Sequence, residues 1–335
     1  MSVVGIDIGH NNCKLAFYDG SSVRLVSQRM PENLVKDDGE VAAPELMGQF
    51  LKQFKSSERV KGKDCSLVLG PEQAFFRHVT LPDMTESELL LNLPYEFRDY
   101  IIDDPDSYVY DYAIDELVRD ESGKVIRMEL YAAAASKEII NDYSTVLKKA
   151  GLKLKYVIPT QMAYSCLLHH HALEHPEHAD RDVVLVDIGH SDLVVSLFHG
   201  SKFDSARTVD FGCDELDQII ANLKDIDPYT AEAYKFNNFE NVLDEPECLA
   251  LCERFGLEVS KVVNFYNFNN PEREIEQLYF IGGGALIPQL TDAITEAVSV
   301  PAAHASELVP SYAASNQEVA SCAVALAGLL ESEVL

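Results

Sequence analysis

The chain has 335 residues, 47% of them hydrophobic, enough to bury a sizeable core and most naturally in two lobes. Its 55 acidic against 27 basic residues leave a net charge of −28, which excludes nucleic acid as a partner and argues against broad adsorption to anionic lipid, since both need clustered Lys and Arg. No apolar run reaches the roughly 18–20 residues of a membrane span, the start enters a strand pattern without a charged leader, and the seven cysteines lack framework spacing, so a cytoplasmic, reducing location is expected.

In chain order, residues 3–8 predict a strand, 12–20 a second strand ending in an Asp-Gly turn, and 21–31 a third. A helix is predicted over 43–54 and a buried strand over 65–71. The texture then changes. Residues 74–82 predict a strand and 85–101 a helix opened by a capping box from Thr85 to Glu88; 107–118 and 125–135 predict paired strands around a DESG turn. A helix over 137–151 ends at Gly151, and 153–159 predicts a strand. Residues 169–182, "HHHALEHPEHADRD", read as a polar connector, with Pro176 against any helix that would align His171 and His175 as metal ligands. Three strands follow over 183–211, then helices over 213–224, 228–236, 245–255 and 257–268, a strand into "IGGG", a helix over 288–299 and an apolar-faced helix over 317–332. Cys248 and Cys252 share one helical face with no second pair to complete a zinc site.

Two of these stretches nearly coincide. "VVGIDIGHNNCKLAFYDG" (3–20) and "VVLVDIGHSDLVVSLFHG" (183–200) agree at seven of eighteen positions, including the whole of Asp-Ile-Gly-His. Each is a strand–turn–strand unit. Glycine at such a turn lets backbone N–H groups approach an anion, and an aspartate at the strand end can hold Mg²⁺ through water. Two hairpins from two lobes can therefore clamp a polyphosphate from both sides. The third element, "LYFIGGGALIPQL" (278–290), is a buried strand, three glycines and a helix; it is neither a dinucleotide fingerprint nor a P-loop, and its glycines suit either tight packing or a flat ring lying on bare backbone.

Hairpin, hairpin and triple glycine in this order resemble the actin-like ATPase superfamily. The resemblance implies a two-lobed α/β fold of the ribonuclease-H-like kind that binds ATP and Mg²⁺. It places Asp7, Gly9, Asn11, Asn12 and Lys14 on one phosphate motif, Asp187, Gly189, His190 and Ser191 on the other, and Gly282, Gly283 and Gly284 under the nucleoside, with Asp7 and Asp187 on the metal. Glu258 and Lys261, at i,i+3 on one helix face, resemble the superfamily's nucleoside-contacting Glu-x-x-Lys. Gln161, just after the interlobe strand, holds the position of a water-orienting residue, with slow or absent hydrolysis expected. His10, Asn11 and Asn12 in one turn, and His190, Ser191 and Asp192 in the other, stand where small hydroxyl residues are usual; the two histidines either pack over the turns or approach the cleft from opposite lobes.

The stretch "FRHVTLPDMTESELLLNLPYEFRDYI", a strand ending in Leu81-Pro82 that leads into a helix beginning Thr85-Glu86-Ser87-Glu88-Leu89, followed by "AAAASKEIINDYSTVLKKAGLKLKYVIP", resembles the PilM family of type IV pilus assembly proteins, within the branch that includes FtsA. On this reading residues 1–70 and 136–182 form the first lobe with 317–332 packing back on it, 71–135 an inserted α/β module, and 183–316 the second lobe with a helical part at about 225–270. The resemblance implies a cytoplasmic ATP-binding scaffold that binds the N-terminal tail of a PilN-like inner-membrane protein and is recruited by it to the membrane, with motor components as further partners. An actin-fold small-molecule kinase is the alternative, although no segment clearly supplies its catalytic aspartate.

Overall fold

The computed structural model describes residues 3–20, 22–36, 39–310 and 319–334. The first quoted segment folds as β1 (Val3–Ile8) and β2 (Asn12–Tyr18), antiparallel, with β3 (Val23–Arg29) on the outer side of β2. After α1 (Pro44–Ser57), β4 (Asp64–Leu69) joins β1 in parallel. A separate three-stranded antiparallel sheet then forms from β5 (Ala74–Pro82), β6 (Tyr108–Arg119) and β7 (Val125–Ser136), in the order β5-β7-β6, and α2 (Glu86–Glu96) packs on it. The Thr85–Glu88 capping box is formed in both directions, so α2 starts where the sequence predicts; it stops at Glu96, sooner than expected, with Pro94 in its last turn. Next, α3 (Lys137–Lys149) leads to β8 (Lys153–Pro159), which completes a five-stranded sheet β3-β2-β1-β4-β8.

The second quoted segment repeats this plan. β9 (Asp182–Ile188), β10 (Leu193–His199) and β11 (Lys202–Val209) are antiparallel; β12 (Gln277–Ile281) and β13 (Ala302–His304) then add in parallel to give β11-β10-β9-β12-β13. Between β11 and β12 come α5 (Cys213–Lys224), α6 (Pro228–Asn237) and α7 (Pro246–Asn269), and α8 (Pro288–Val298) follows β12. The two helices expected over 245–255 and 257–268 are one. Gly256 does not break α7: it lets α8 approach so closely that a Cβ there would lie 2.7 Å from the Ala293 carbonyl oxygen.

Between the two sheets lies a shared apolar layer. α4 (Thr160–Glu174) contributes Ala163, Tyr164 and Leu167, and α9 (Val319–Val334) contributes its run from Cys322 to Leu330; both pack with Val68 and Ile158 of one sheet and Leu185, Phe198 and Ile281 of the other. A helix apolar on all sides is the expected filler of such a layer. The polar connector expected over 169–182 is therefore corrected: His169, His170 and His171 extend α4, His171 is buried, and the helix ends at Glu174 because the residue before Pro176 is disfavoured in helical backbone. The α9 backbone reaches β1 and β4 through small residues. A Cβ on Gly5 would lie 2.1 Å from the Ala325 carbonyl oxygen, and the Ser66 hydroxyl donates to the Gly328 carbonyl at 2.8 Å.

Gly5→Val must push α9 off β1 and is expected to cost roughly 2–4 kcal/mol, read from the urea midpoint at unchanged slope.

Candidate functional site

The two Asp-Ile-Gly-His turns close in the same way. The Gly9 N–H donates to the Asn12 carbonyl at 3.1 Å, and the Gly189 N–H to the Asp192 carbonyl at 2.9 Å. In register, Asp7 lies opposite Lys14 on β2, while Asp187 lies opposite Val194 on β10, so the repeat supplies two carboxylates but one ammonium. Both turns face a single cleft between the lobes, lined also by Gly70, Pro71 and Glu72 after β4, by Thr160, and by Gly282–Gly284 after β12.

Of the residues named from the sequence, Asp7, Gly9, Asn11, Asn12, Lys14, Asp187, Gly189, His190 and the three glycines line this cleft, as do His10 and Asp192. Four do not. Ser191 lies in the second turn outside the lining, and Gln161 is buried in the first turn of α4, beside Thr160, whose hydroxyl caps the Leu69 carbonyl at 2.9 Å. Glu258 and Lys261 pair with each other at 2.6 Å on an outward face of α7, with the lysine 63% exposed. The Glu-x-x-Lys that reaches the cleft is Glu232 and Lys235 on α6. The spacing is identical in the two places, and the pattern alone does not choose between them; the folding of α6 over the cleft does.

Glu232 also joins the lobes: it accepts from Asn11 Nδ2 at 2.6 Å and is ion-paired with Arg29, whose guanidinium stacks 4.3 Å over the Tyr229 ring. Lys235 is fully buried and is held by Asp217 at 2.6 Å and the Cys213 carbonyl at 3.0 Å.

The three glycines have different duties. Gly282 takes φ +86°, and a Cβ there would lie 2.4 Å from Asp187 Oδ1; a Cβ on Gly284 would lie 2.3 Å from the Ile188 side chain. Both are required by packing against β9. Gly283 has nothing within 4 Å of its Cβ position and lines the cleft, so packing does not require its bareness.

Carboxylates are crowded here. Burial first of all, with Asp192 and Asp7 adding, pushes the Asp187 carboxyl up to about 6, against the relief of the Tyr164 hydroxyl donating at 2.7 Å and of Lys14. Asp192 is also pushed up to about 6, by burial and then by Glu72. Burial pulls the Lys14 ammonium down, but the charge and hydrogen bond of Asp7 at 2.8 Å outweigh it and hold the group above its usual range. Burial and then Lys235 lower His190, and His10 Nε2 is a buried nitrogen without a partner among the described residues. A cleft with this balance favours a cation. No three His, Cys, Asp or Glu side chains among the described residues converge to cage a metal directly.

The sequence matches the family described as type IV pilus assembly protein PilM over residues 5–317. No curated protein sequence matches the chain. Among solved structures, a PilM–PilN type IV pilus biogenesis complex is similar with a TM-score of 0.82 at 22% identity, covering 99% of this chain and 98% of that one. The ethanolamine utilization protein EutJ from Carboxydothermus hydrogenoformans gives 0.60 at 16% identity over 97% and 89%. MreB 5 of Spiroplasma citri, bound to AMPPNP, gives 0.53 at 12% over 99% and 96%. The fold is that of the actin-like ATPases.

Asp192 binds its proton more tightly folded, near 6, than unfolded, near 3.8, so its ionisation removes stability as pH rises through that window. Asp192→Asn is expected to stabilise the ligand-free chain by about 1–2 kcal/mol at pH 7.5 and hardly at all at pH 4, read from thermal unfolding across pH.

Proposed function

The chain belongs to the PilM family of type IV pilus assembly proteins, and we propose that it is an ATP-binding adaptor of a type IV pilus or related secretion or DNA-uptake machine. It holds Mg·ATP between its twin hairpins and receives the N-terminal tail of a PilN-like inner-membrane protein, which recruits it from the cytoplasm to the membrane. The observation that carries this reading is the likeness, over nearly the whole chain, to a complex of PilM with PilN, together with a cleft lined by both Asp-x-Gly turns. The kinase alternative is not favoured by the family match.

In the cleft, Asp7 and Asp187 would hold Mg²⁺ through water, and the bound ion would offset the phosphate charge. The turns at Gly9 and Gly189 would offer backbone N–H groups to the phosphates, Lys14 would add a cation, and Gly283 would leave room for the nucleoside. Glu232 and Lys235, which line the cleft, would be the pair beside it rather than Glu258 and Lys261. Gln161 lies outside the lining, which accords with binding that needs little or no turnover.

For the tail, a second groove runs between the three-stranded sheet and the first lobe. Phe76, Tyr112, Tyr131, Ile158 and Met162 give it an apolar floor, and Asp111 and Glu331 add acidic groups. Phe76 stacks on Tyr131 with ring centroids 5.5 Å apart, which fixes the floor. An extended peptide with apolar and basic side chains fits such a groove, with rigid aromatic anchors and carboxylates that select charge.

Calorimetry with Mg·ATP is expected to show binding by the wild type that Asp187→Ala and Gly283→Val each weaken by about tenfold or more. Gly283→Val should leave the melting temperature unchanged, whereas Gly284→Val should lower it; wild-type affinity in Gly283→Val would refute the assignment. Asp111→Lys with Tyr112→Ala is expected to weaken a PilN-type tail peptide by about tenfold while sparing Mg·ATP affinity.

A further inference from the structure

Charge is laid out unevenly along this chain. Residues 45–64 carry Lys52, Lys55, Arg59, Lys61 and Lys63, and residues 148–155 carry Lys148, Lys149, Lys153 and Lys155. The first lobe folds the two stretches together: β4 and β8 pair in parallel with Asp64 opposite Lys153, the Lys153 N–H donates to the Lys63 carbonyl at 2.7 Å, and Lys55 Nζ donates to the Gly151 carbonyl at 3.1 Å. These two stretches hold nine cations and three carboxylates, a charge of +6, while the remaining 18 cations and 52 carboxylates carry −34. Two of the three carboxylates are already engaged, Glu45 by Lys149 and Glu58 by Arg24 at 3.0 Å. Lys52, Arg59, Lys61, Lys63, Lys153 and Lys155 are exposed and have no ion-pair partner among the described residues.

This surface lies at the N-terminal ends of β4 and β8, whereas the cleft lies at their C-terminal ends, six or seven residues or about 20 Å away. Screening over about 8 Å at physiological salt separates it from the cleft's carboxylates. The net charge of the chain therefore does not describe what a partner meets at this end.

We propose that this end of the first lobe is a docking surface for the anionic phospholipid headgroups of a membrane. The chemistry favours lipid over protein. Eight of the nine cations are lysine, which protein–protein interfaces deplete in favour of arginine and aromatics. Across the two stretches Leu46, 57% exposed at the start of α1, is the one large apolar side chain in the open, too little for a hot-spot cluster. Flexible ammonium groups spread over a surface suit a diffuse sheet of phosphates, and a contact of this kind is weak and salt-sensitive. It rests on the adaptor reading only in that the adaptor brings a membrane within reach: the tail would supply the anchor and the lysines the orientation, the two-signal arrangement that holds peripheral proteins on bilayers.

The test is co-sedimentation of the full chain with phosphatidylglycerol/phosphatidylcholine vesicles against phosphatidylcholine alone, with no tail peptide present, so that failure of tail binding leaves the result untouched. Wild type is expected to bind the anionic vesicles at least about fivefold better at 50 mM salt, with the preference lost by 500 mM. Lys61→Glu/Lys63→Glu should abolish it, and Arg98→Glu/Lys124→Glu, a matched charge change in the loops of the inserted module, should not. Equal binding to both vesicle types, or equal loss in both variants, overturns the proposal. So does self-association that Lys61→Glu/Lys63→Glu alone disperses without any vesicle binding, which would give the surface to a second copy of the chain.

Discussion

Two aspartates from different lobes, Asp7 and Asp187, end their strands against the same cleft, and half-burying both carboxylates is tolerable because the fold brings them partners. Lys14 comes from the opposing strand of the first hairpin at 2.8 Å, and the Tyr164 hydroxyl comes from α4 at 2.7 Å. The second hairpin has Val194 where the first has Lys14, so Asp187 depends on a residue of the shared helical layer. The position of α4 thus sets the electrostatics of the cleft, and α4 in turn is held by α9 and by both sheets. Packing between the lobes and charge within the cleft are one problem, solved by the same two helices.

The offset is incomplete. Asp187 and Asp192 are pushed up to about 6 by burial first and by neighbouring carboxylates next, more than Lys14 offsets, and such a site is more stable when something positive enters. Stability forgone in the ligand-free chain is the usual signature of a site shaped for a ligand. Across the cleft, the bridge from Asn11 and Arg29 to Glu232 ties the first lobe directly to α6, so a ligand that moves either hairpin also pulls on this bridge.

What the sequence disclosed, and what it hid, follows from range. The twin hairpins were legible because each is a local strand–turn–strand unit with its turn residues in place, and the triple glycine because it stands between a strand and a helix. Glu232 was not legible, since its contact with Asn11 spans 221 residues and its spacing to Lys235 is shared by Glu258 and Lys261. The run of histidines looked like a linker because polarity was read without the buried face that α4 offers His171. Gly256 looked like a break because glycine's low helix propensity was visible and α8 was not. The lysine surface was hidden for the same reason: its two halves lie about ninety residues apart, and only β4–β8 pairing joins them, so a net charge of −28 concealed a strongly basic end.

The proposed function requires the two hairpins to act as opposing jaws on one ligand. Hydrogen exchange read by mass spectrometry, on the full chain with and without saturating Mg·ATP, tests this most directly. Slowed exchange is predicted together in 9–14, 189–194 and 282–286, with 52–63 unchanged. Protection confined to one hairpin, or absent from both, would contradict it.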